Sequence, residues 1–138
     1  METLKNFFNE RDQFARRNGI KLSSISPGHA LAEMTVEPHH WNGVNSVQGG
    51  AVFTLADFAF AAAANAHGTV AVAINVSITF MKAVSTGLLR AEAHEVALNP
   101  KLGTYTVDVK DERGDLVAVF QGLAYRKKDP LPIDDRVK

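Results

Sequence analysis

The chain has 138 residues, 46% of them hydrophobic, and its 15 basic residues balance 15 acidic ones. This length and composition predict one domain with a single core, spanning residues 1–138. The balanced charge creates no general positive field, so neither nucleic acid nor a membrane surface is an expected partner. The lack of cysteine excludes disulfides, a thiolate nucleophile and cysteine-containing metal sites. No secretory leader or membrane span is recognised, so the expected location is cytoplasmic.

The N-terminal segment predicts one amphipathic helix of three or four turns that ends before Gly19. We expect it to pack on the outside of the domain. Its apolar residues recur near helical spacing among charged ones, at Leu4, Phe7, Phe8, Phe14 and Ala15.

Six strands are predicted in the rest of the chain, because apolar and β-branched runs alternate with turn residues. The predicted ranges are 20–26, 30–36, 70–81, 88–98, 104–111 and 116–126. Beyond Lys127 the composition changes to Asp, Pro and Lys, which predicts a frayed tail from about residue 128.

A long, almost uncharged segment lies between the second and third strands, beginning at Gly49 or Gly50 and ending near Ala66. A helix that is apolar on nearly every face is normally enclosed by the protein. The sequence therefore predicts an α+β fold, in which an antiparallel sheet of five or six strands wraps around one long central helix. Such a sheet has exposed edges, so we expect a dimer that joins two sheets edge to edge.

Asp57 is the one charged residue of this helix. Enclosing a carboxylate without partners costs several kcal/mol, so Asp57 needs a role, which is either catalytic or structural. Gly49 and Gly50 open the helix, where backbone N–H groups lack partners and the helix dipole is positive. These N–H groups predict an oxyanion site, although a glycine pair also suits a tight junction between loop and helix.

Asp57 follows Gly49 by eight residues, which is about 12 Å along a helix axis. One substrate group cannot easily reach both residues in a single subunit. A symmetric dimer would supply Asp57 from one chain and Gly49 from the other.

The segment from Asn42 to Asp57 carries a more specific pattern: an asparagine, six residues, Gly-Gly, and then Leu-Ala-Asp. This pattern resembles the signature of hotdog-fold acyl-CoA thioesterases of the phenylacetate-pathway (PaaI-like) type. The order of helices and strands and the segment INVSITFM at residues 74–81 also fit.

The resemblance implies hydrolysis of an acyl-CoA thioester without a metal or cofactor, in a homodimer with shared active sites that pairs into a homotetramer. It assigns Asp57 as nucleophile or general base, Gly49 as the backbone donor to the thioester carbonyl, and Asn42 as a polar residue near that carbonyl or the water. The family usually has histidine where this chain has Gln48, which can donate a hydrogen bond but cannot titrate. A hydroxyl from the strand after the helix is assigned to Ser77, with Asn75 second.

Cations near strand ends are expected to bind the phosphates of CoA through charge-assisted contacts, with Lys82, Arg90 and Arg126 as candidates. The acyl group remains open between aryl-acyl and medium fatty acyl groups.

Two other functions remain open on the same fold. One is a non-catalytic acyl-CoA binding or regulatory protein, which the replacement of histidine by Gln48 makes credible. The other is dehydration of a hydroxyacyl thioester, but His39 and His40 precede the glycine pair by too many residues for that chemistry. These two histidines are interpreted as loop or pocket-wall residues rather than metal ligands. His29, His67 and His94 are expected on the surface.

Overall fold

The computed structural model describes residues 1–133, and the structural statements below concern those residues. The elements in chain order are α1 (Glu2–Arg11), α2 (Gln13–Arg17), β1 (Ile20–Ser26), β2 (His29–Thr35), a short 3-10 turn (Pro38–His40), α3 (Gly49–Asn65), β3 (Thr69–Phe80), β4 (Leu88–Leu98), β5 (Leu102–Lys110) and β6 (Leu116–Pro130).

The six strands form one antiparallel sheet in the order β1-β2-β4-β5-β6-β3. Helix α3 packs against one face of this sheet, the inner face, and contacts all six strands. The predicted α+β fold, with a sheet around one long helix and helical structure at the N terminus, is therefore confirmed. Strands β1 and β3 lie at the two edges.

Small residues allow α3 to approach the inner face closely. Ala30 and Ala32 of β2 and Ala91 of β4 have no solvent exposure. On β6, Gly122 leaves room for the ring of Phe60, since a Cβ atom at Gly122 would lie 2.7 Å from that ring. The sheet face and the helix thus fit together through alternating small and large side chains.

The N-terminal region differs from the single helix predicted. Asp12 has extended backbone angles, φ −80° and ψ 94°, which end α1 and begin α2. The Asp12 Oδ1 accepts a hydrogen bond from the backbone N–H of Ala15 at 3.1 Å, so it caps α2. The prediction of one continuous helix was wrong because Asp12 makes a better cap than an interior helical residue.

The end of the sheet also differs from the prediction. Strand β6 continues to Pro130, which pairs with Thr69 at the start of β3. A frayed tail from about residue 128 is therefore wrong for residues 128–130, because this pairing extends the strand. Residues 134–138 lie outside the described part of the chain, and the single domain over residues 1–138 stays a prediction.

Edge strand β3 presents apolar side chains to solvent, including Val72, Ile74 and Phe80, and Met81 follows them. Exposed apolar residues on a long edge strand are typical of an interface with another chain. Within residues 1–133, no helix combines the length and the apolar character that crossing a membrane requires.

Candidate functional site

The loop before α3 positions the start of that helix through backbone contacts. Val47 N–H donates to Val84 O at 2.8 Å, and Gln48 N–H donates to His40 O at 2.8 Å. These two contacts fix the direction in which the chain enters α3.

The Gly49 N–H is the free donor at the start of α3. A helix residue normally bonds to the carbonyl four residues earlier, but position 45 lies in the loop. Over residues 1–133, Gly49 N–H makes no hydrogen bond, whereas Gly50 N–H donates to Gln48 Oε1 at 2.7 Å. Gly49 borders a cavity of about 430 Å³, at whose wall Phe80 also lies.

Asn42 lines the same cavity as Gly49. Its Oδ1 accepts hydrogen bonds from the backbone N–H groups of Val44 at 3.0 Å and Ser46 at 3.1 Å, which hold the loop closed. In the described part of the chain its Nδ2 has no partner, so this amide can donate to a ligand oxygen. The structure therefore places Asn42 and Gly49 at the wall of one cavity.

Gln48 caps α3 and lies beside this cavity rather than in its wall. Its carbonyl oxygen is used by Gly50, so only its amide group remains available for donation. The side chain borders a second cavity of about 250 Å³ together with His39, His40 and Trp41.

Asp57 lies two turns further along α3 and is only partly exposed. It borders a small cavity of about 170 Å³, walled by Asp12, Phe14, Phe53 and Phe58 among others. Burial, and to a lesser extent the nearby charge of Asp12, raises the pKa of the Asp57 carboxyl. Among the described residues no hydrogen bond donor reaches this carboxylate. Asp57 is thus a partly desolvated carboxyl group without a hydrogen-bond partner in residues 1–133, and this weakens the interpretation of it as a structural cap.

The cavities at Gly49 and at Asp57 have no wall residue in common. Within one chain the structure therefore does not bring the predicted donor and the predicted carboxylate to one point. The cavity at Asp57 instead continues through Phe14 and Thr54 toward the one at Gln48.

Ser77 and Asn75 lie elsewhere. Ser77 pairs with Gln121 and Asn75 with Leu123, while the alternate residues of β6, Phe120 and Gly122, face α3. Both predicted side chains therefore belong to the outer face of the sheet, where they line a separate cavity of about 310 Å³. In one chain they are not brought to either Asp57 or Gly49.

Only one of the three predicted phosphate ligands borders the Gly49 cavity. That residue is Lys82, whose Nζ lies 2.6 Å from Asp111 Oδ2 and 2.7 Å from Asp115 Oδ2. Arg90 pairs with Glu33 at 2.9 Å and lines a different cavity. Arg126 donates to Asn99 O at 2.8 Å.

Two histidine arrangements were missed by the sequence interpretation. His40 is buried at 2% exposure, with Nδ1 accepting from Glu37 N–H and Nε2 donating to Asn18 O, each at 2.9 Å. His29 and His94 meet at Glu92 on the outer face and form, with that carboxylate, a group able to hold a metal ion. Their separation along the sequence left no local signal.

His67 also differs from the expectation of a surface residue. It is partly buried, and its Nε2 lies 3.1 Å from Glu95 Oε1.

Comparison with known proteins agrees with the fold. Residues 45–118 match the family model described as the thioesterase superfamily. A relative from Archaeoglobus fulgidus is 40% identical over 133 residues, which cover 96% of this chain and 86% of that protein. The acyl-coenzyme A thioesterase PaaI of Escherichia coli is 36% identical over 118 residues, covering 85% of this chain and 84% of that protein.

A solved structure gives the same result in three dimensions. The E. coli PaaI protein from the phenylacetic acid degradation operon superposes with a TM-score of 0.87 and 32% identity, covering 91% of each chain. The family match spans more than half of the sequence. The chain therefore belongs to the thioesterase superfamily and has the hotdog fold.

Proposed function

We propose that this enzyme hydrolyses an acyl-CoA thioester, carrying an aryl-acyl or medium fatty acyl group, to the free acid and CoA. The observation that carries the proposal is the Gly49 N–H at the positive end of α3, which has no partner among residues 1–133 and lies beside a cavity of about 430 Å³. A donor in this position can stabilise the negative charge that develops on a thioester oxygen. The name of the E. coli relative, an acyl-coenzyme A thioesterase, supports the choice of substrate.

Gly49 and Asn42 bind the carbonyl in this mechanism. The thioester oxygen accepts hydrogen bonds from Gly49 N–H and from the Asn42 Nδ2. Attack on the carbonyl carbon moves an electron pair onto this oxygen, so both hydrogen bonds strengthen as the tetrahedral intermediate forms. Gln48 contributes by holding Gly50 N–H, which keeps the first turn of α3 in place for this contact.

Asp57 activates the attack by one of two routes. As a nucleophile, it attacks the thioester carbon, CoA thiolate leaves, and water hydrolyses the mixed anhydride. As a general base, it takes a proton from a water molecule that attacks the same carbon, after which CoA thiolate leaves and takes up a proton. Both routes need ionised Asp57, and the raised pKa makes the carboxylate a stronger base.

The two halves of the site come from two subunits in this proposal. Asp57 of one subunit meets Gly49 and Asn42 of the other across a dimer interface. The separation of their cavities within one chain supports this arrangement, as does the exposed apolar edge formed by Val72, Ile74 and Phe80. Pairing of two such dimers into a homotetramer, and a cytoplasmic location, remain parts of the same proposal.

Lys82 is retained as the phosphate contact because it borders the Gly49 cavity. Its two carboxylate partners, Asp111 and Asp115, hold the ammonium group at the rim. Binding of a CoA phosphate there replaces one of these contacts with another charge-assisted one. Arg90 and Arg126 lie away from this cavity and are left out of the proposed site, as is Ser77.

The first experiment measures thiol release from a panel of aryl and aliphatic acyl-CoAs by the wild type and by Asp57→Asn. The substitution preserves shape while removing the charge, so turnover should be lost while CoA still raises the melting temperature. Unchanged turnover in Asp57→Asn contradicts the proposal.

The same assay tests the second candidate, a non-catalytic acyl-CoA binding protein. The observation in its favour is that the Gln48 side chain is committed to capping α3 and cannot titrate. If the wild type binds CoA compounds but turns over none of the panel, the binding protein is the better description.

A separate experiment tests the shared site. Inactive Asp57→Ala and Gly49→Pro subunits are mixed, and subunit exchange is verified by mass spectrometry. Hybrid dimers contain one intact site, so activity should partly return. No recovery despite complete exchange contradicts a site built from two subunits.

A further inference from the structure

The outer face of the sheet carries a cluster of side chains that the proposed thioester chemistry does not use. His29 Nε2 lies 2.7 Å from Glu92 Oε2, and His94 Nε2 lies 3.5 Å from the same oxygen. The two imidazole rings are 5.1 Å apart between centroids. Both rings therefore direct their Nε2 atoms toward one carboxylate oxygen.

Strand register places these three side chains on one face. His29 of β2 pairs directly with His94 of β4, and Glu92 is two residues from His94, so it points to the same side. The alternate residues Ala30 and Ala93 are fully buried on the inner face. A one-residue slip of either strand would bury the cluster against α3, so the core itself holds the three side chains outward.

The chemistry of this cluster is that of a metal site. Two imidazoles and one carboxylate are a ligand set that zinc uses when a fourth position is left to water. Ligands of a tetrahedral zinc ion lie about 3.5 Å from one another, and the three ligand atoms here all lie within 4.8 Å of one another. Small rotations of exposed side chains suffice to enclose an ion.

We propose that His29, Glu92 and His94 bind a divalent transition-metal ion, with Zn²⁺ as the best fit. One carboxylate and two nitrogen ligands do not suit Ca²⁺ or Mg²⁺, which take sets of oxygen ligands. The side chains are 34%, 47% and 54% exposed in the order His29, Glu92 and His94, so water can reach the fourth position.

The same chain contains a matched arrangement that lacks one ligand. His67 contacts Glu95 at 3.1 Å and no second histidine joins the pair in the described part of the chain. An ordinary pairing of histidine with glutamate needs only these two partners. The second imidazole at Glu92 is what distinguishes a site for a metal ion from such a pair.

The test uses the full-length protein without a histidine tag, stripped of metal with EDTA. Zn²⁺ binding is measured by isothermal titration calorimetry for the wild type and for His29→Gln, Glu92→Gln and His94→Gln. We expect one Zn²⁺ per chain in the wild type. Each variant should lose more than about 10-fold in affinity, because even partners outside the ligand shell cost about 10- to 100-fold. The control His67→Gln should bind as the wild type does.

Co²⁺ gives a second readout at the same site. A four-coordinate Co²⁺ ion with nitrogen ligands should give visible absorption bands, and these bands should disappear in His94→Gln. Circular dichroism verifies that each variant is folded, as expected for exposed positions. The proposal is overturned if Zn²⁺ does not bind in a saturable manner, or if His94→Gln binds it as tightly as the wild type. An equally large loss of Zn²⁺ affinity in His67→Gln also overturns the proposal.

Discussion

The two halves of α3 differ in composition and in how many of their residues reach solvent. In the first half, Gly50 is exposed and Thr54 and Asp57 are partly exposed, and every one of these residues borders a cavity. In the second half, Phe58, Phe60 and Ala62 are buried against the sheet. The first half, residues 49–57, holds two glycines and the polar Thr54 and Asp57, whereas the second half, residues 58–65, holds only alanine, phenylalanine and Asn65. Both polar residues of the first half border cavities.

This difference explains where polar atoms can be left unpaired. As far as the described residues show, the first half of α3 keeps a free N–H at Gly49 and a carboxylate without a donor at Asp57, both at cavity walls. At the other end, Asn65 Nδ2 donates to Ala61 O and Ala71 O, and its Oδ1 accepts from Ala71 N–H. A fully covered polar group must be satisfied, whereas a group at a cavity wall can keep bonding capacity for a substrate.

The largest expected effect comes from removing the donor in the first half. Gly49→Pro deletes the N–H and adds a ring beside Phe80. The helix start should be kept, because proline suits the first position of a helix and Gln48 already has compatible angles, φ −63° and ψ 137°. On the proposed mechanism, kcat should fall about 100- to 1,000-fold, or about 2.7 to 4 kcal/mol. Steady-state kinetics with the best substrate of the panel measures this loss.

Gly49→Ala is the matched control. Its Cβ meets the ring of Phe80 at 3.1 Å, as the proline ring would, but the N–H stays. A loss as large in Gly49→Ala as in Gly49→Pro would assign the effect to crowding at Phe80 rather than to the missing donor.

A substitution that crowds the second half of α3 should lower the stability of the protein rather than its activity. Gly122→Ala places a methyl group 2.7 Å from the Phe60 ring, which is fully buried and has little room to move. Overpacking of this kind costs about 1 to 3 kcal/mol in the free energy of unfolding. Urea denaturation measures it.

Gly43→Ala should be nearly neutral in the same experiment, because nothing lies within 4 Å of a Cβ at that loop position. Equal stability of the Gly122→Ala and Gly43→Ala variants would show that the contact between Gly122 and Phe60 leaves room for a methyl group.

Asp57→Asn should combine lost activity with higher stability. The folded-state pKa of Asp57 is raised above its ordinary value of 3.8, so ionised Asp57 opposes folding. The gain in the free energy of unfolding of Asp57→Asn over the wild type should be absent below pH 3.8, the ordinary pKa. It should grow as the pH rises toward the folded-state pKa and stay constant above that pKa. At neutral pH we expect a gain of about 0.5 to 2 kcal/mol, the usual range for single stabilising substitutions.

Unfolding curves at several pH values check this prediction. A variant less stable than the wild type at neutral pH would mean that Asp57 has a stabilising partner.

The smallest effect concerns the charge beside the site. Asp12→Asn keeps the cap on α2, since asparagine accepts the same hydrogen bond, but removes a charge that raises the pKa of Asp57. The acidic limb of the profile of kcat/KM against pH should therefore move to lower pH. The shift should be small because burial is the larger cause.

Glu2→Gln removes one acidic charge from α1 and serves as the control, with no expected shift. Movement of the limb to higher pH in Asp12→Asn would contradict the assigned cause.

Several features were predictable because their signals are local. The ranges of β1 and β4 were predicted to the residue, and α3 begins at Gly49 as expected. Alternating apolar residues, glycine turns and a continuous apolar run act within a few neighbouring residues. The break at Asp12 was missed although its signal was local, because a short polar cap competes with the helical pattern around it.

Other features could not be predicted from local sequence patterns. Alternation puts Asn75 and Ser77 on one face of β3, but pairing with β6 decides that this face is the outer one. The prediction of phosphate ligands was limited in the same way, because the sequence does not show which side chains the fold places beside Lys82 and Arg90. Pairing with Thr69 likewise carries β6 to Pro130.

The sequence by itself determined the α+β layout, the apolar helix and the places of Gly49 and Asp57 along that helix, because periodicity and spacing are properties of the chain. The hotdog fold was implied by the family resemblance. Only the tertiary structure decided which donors stay unpaired, how deeply Asp57 is buried and how His29 meets His94. These depend on strand register and on the cover that each element receives. Register is set by long-range packing of the whole sheet against α3, which no short segment contains.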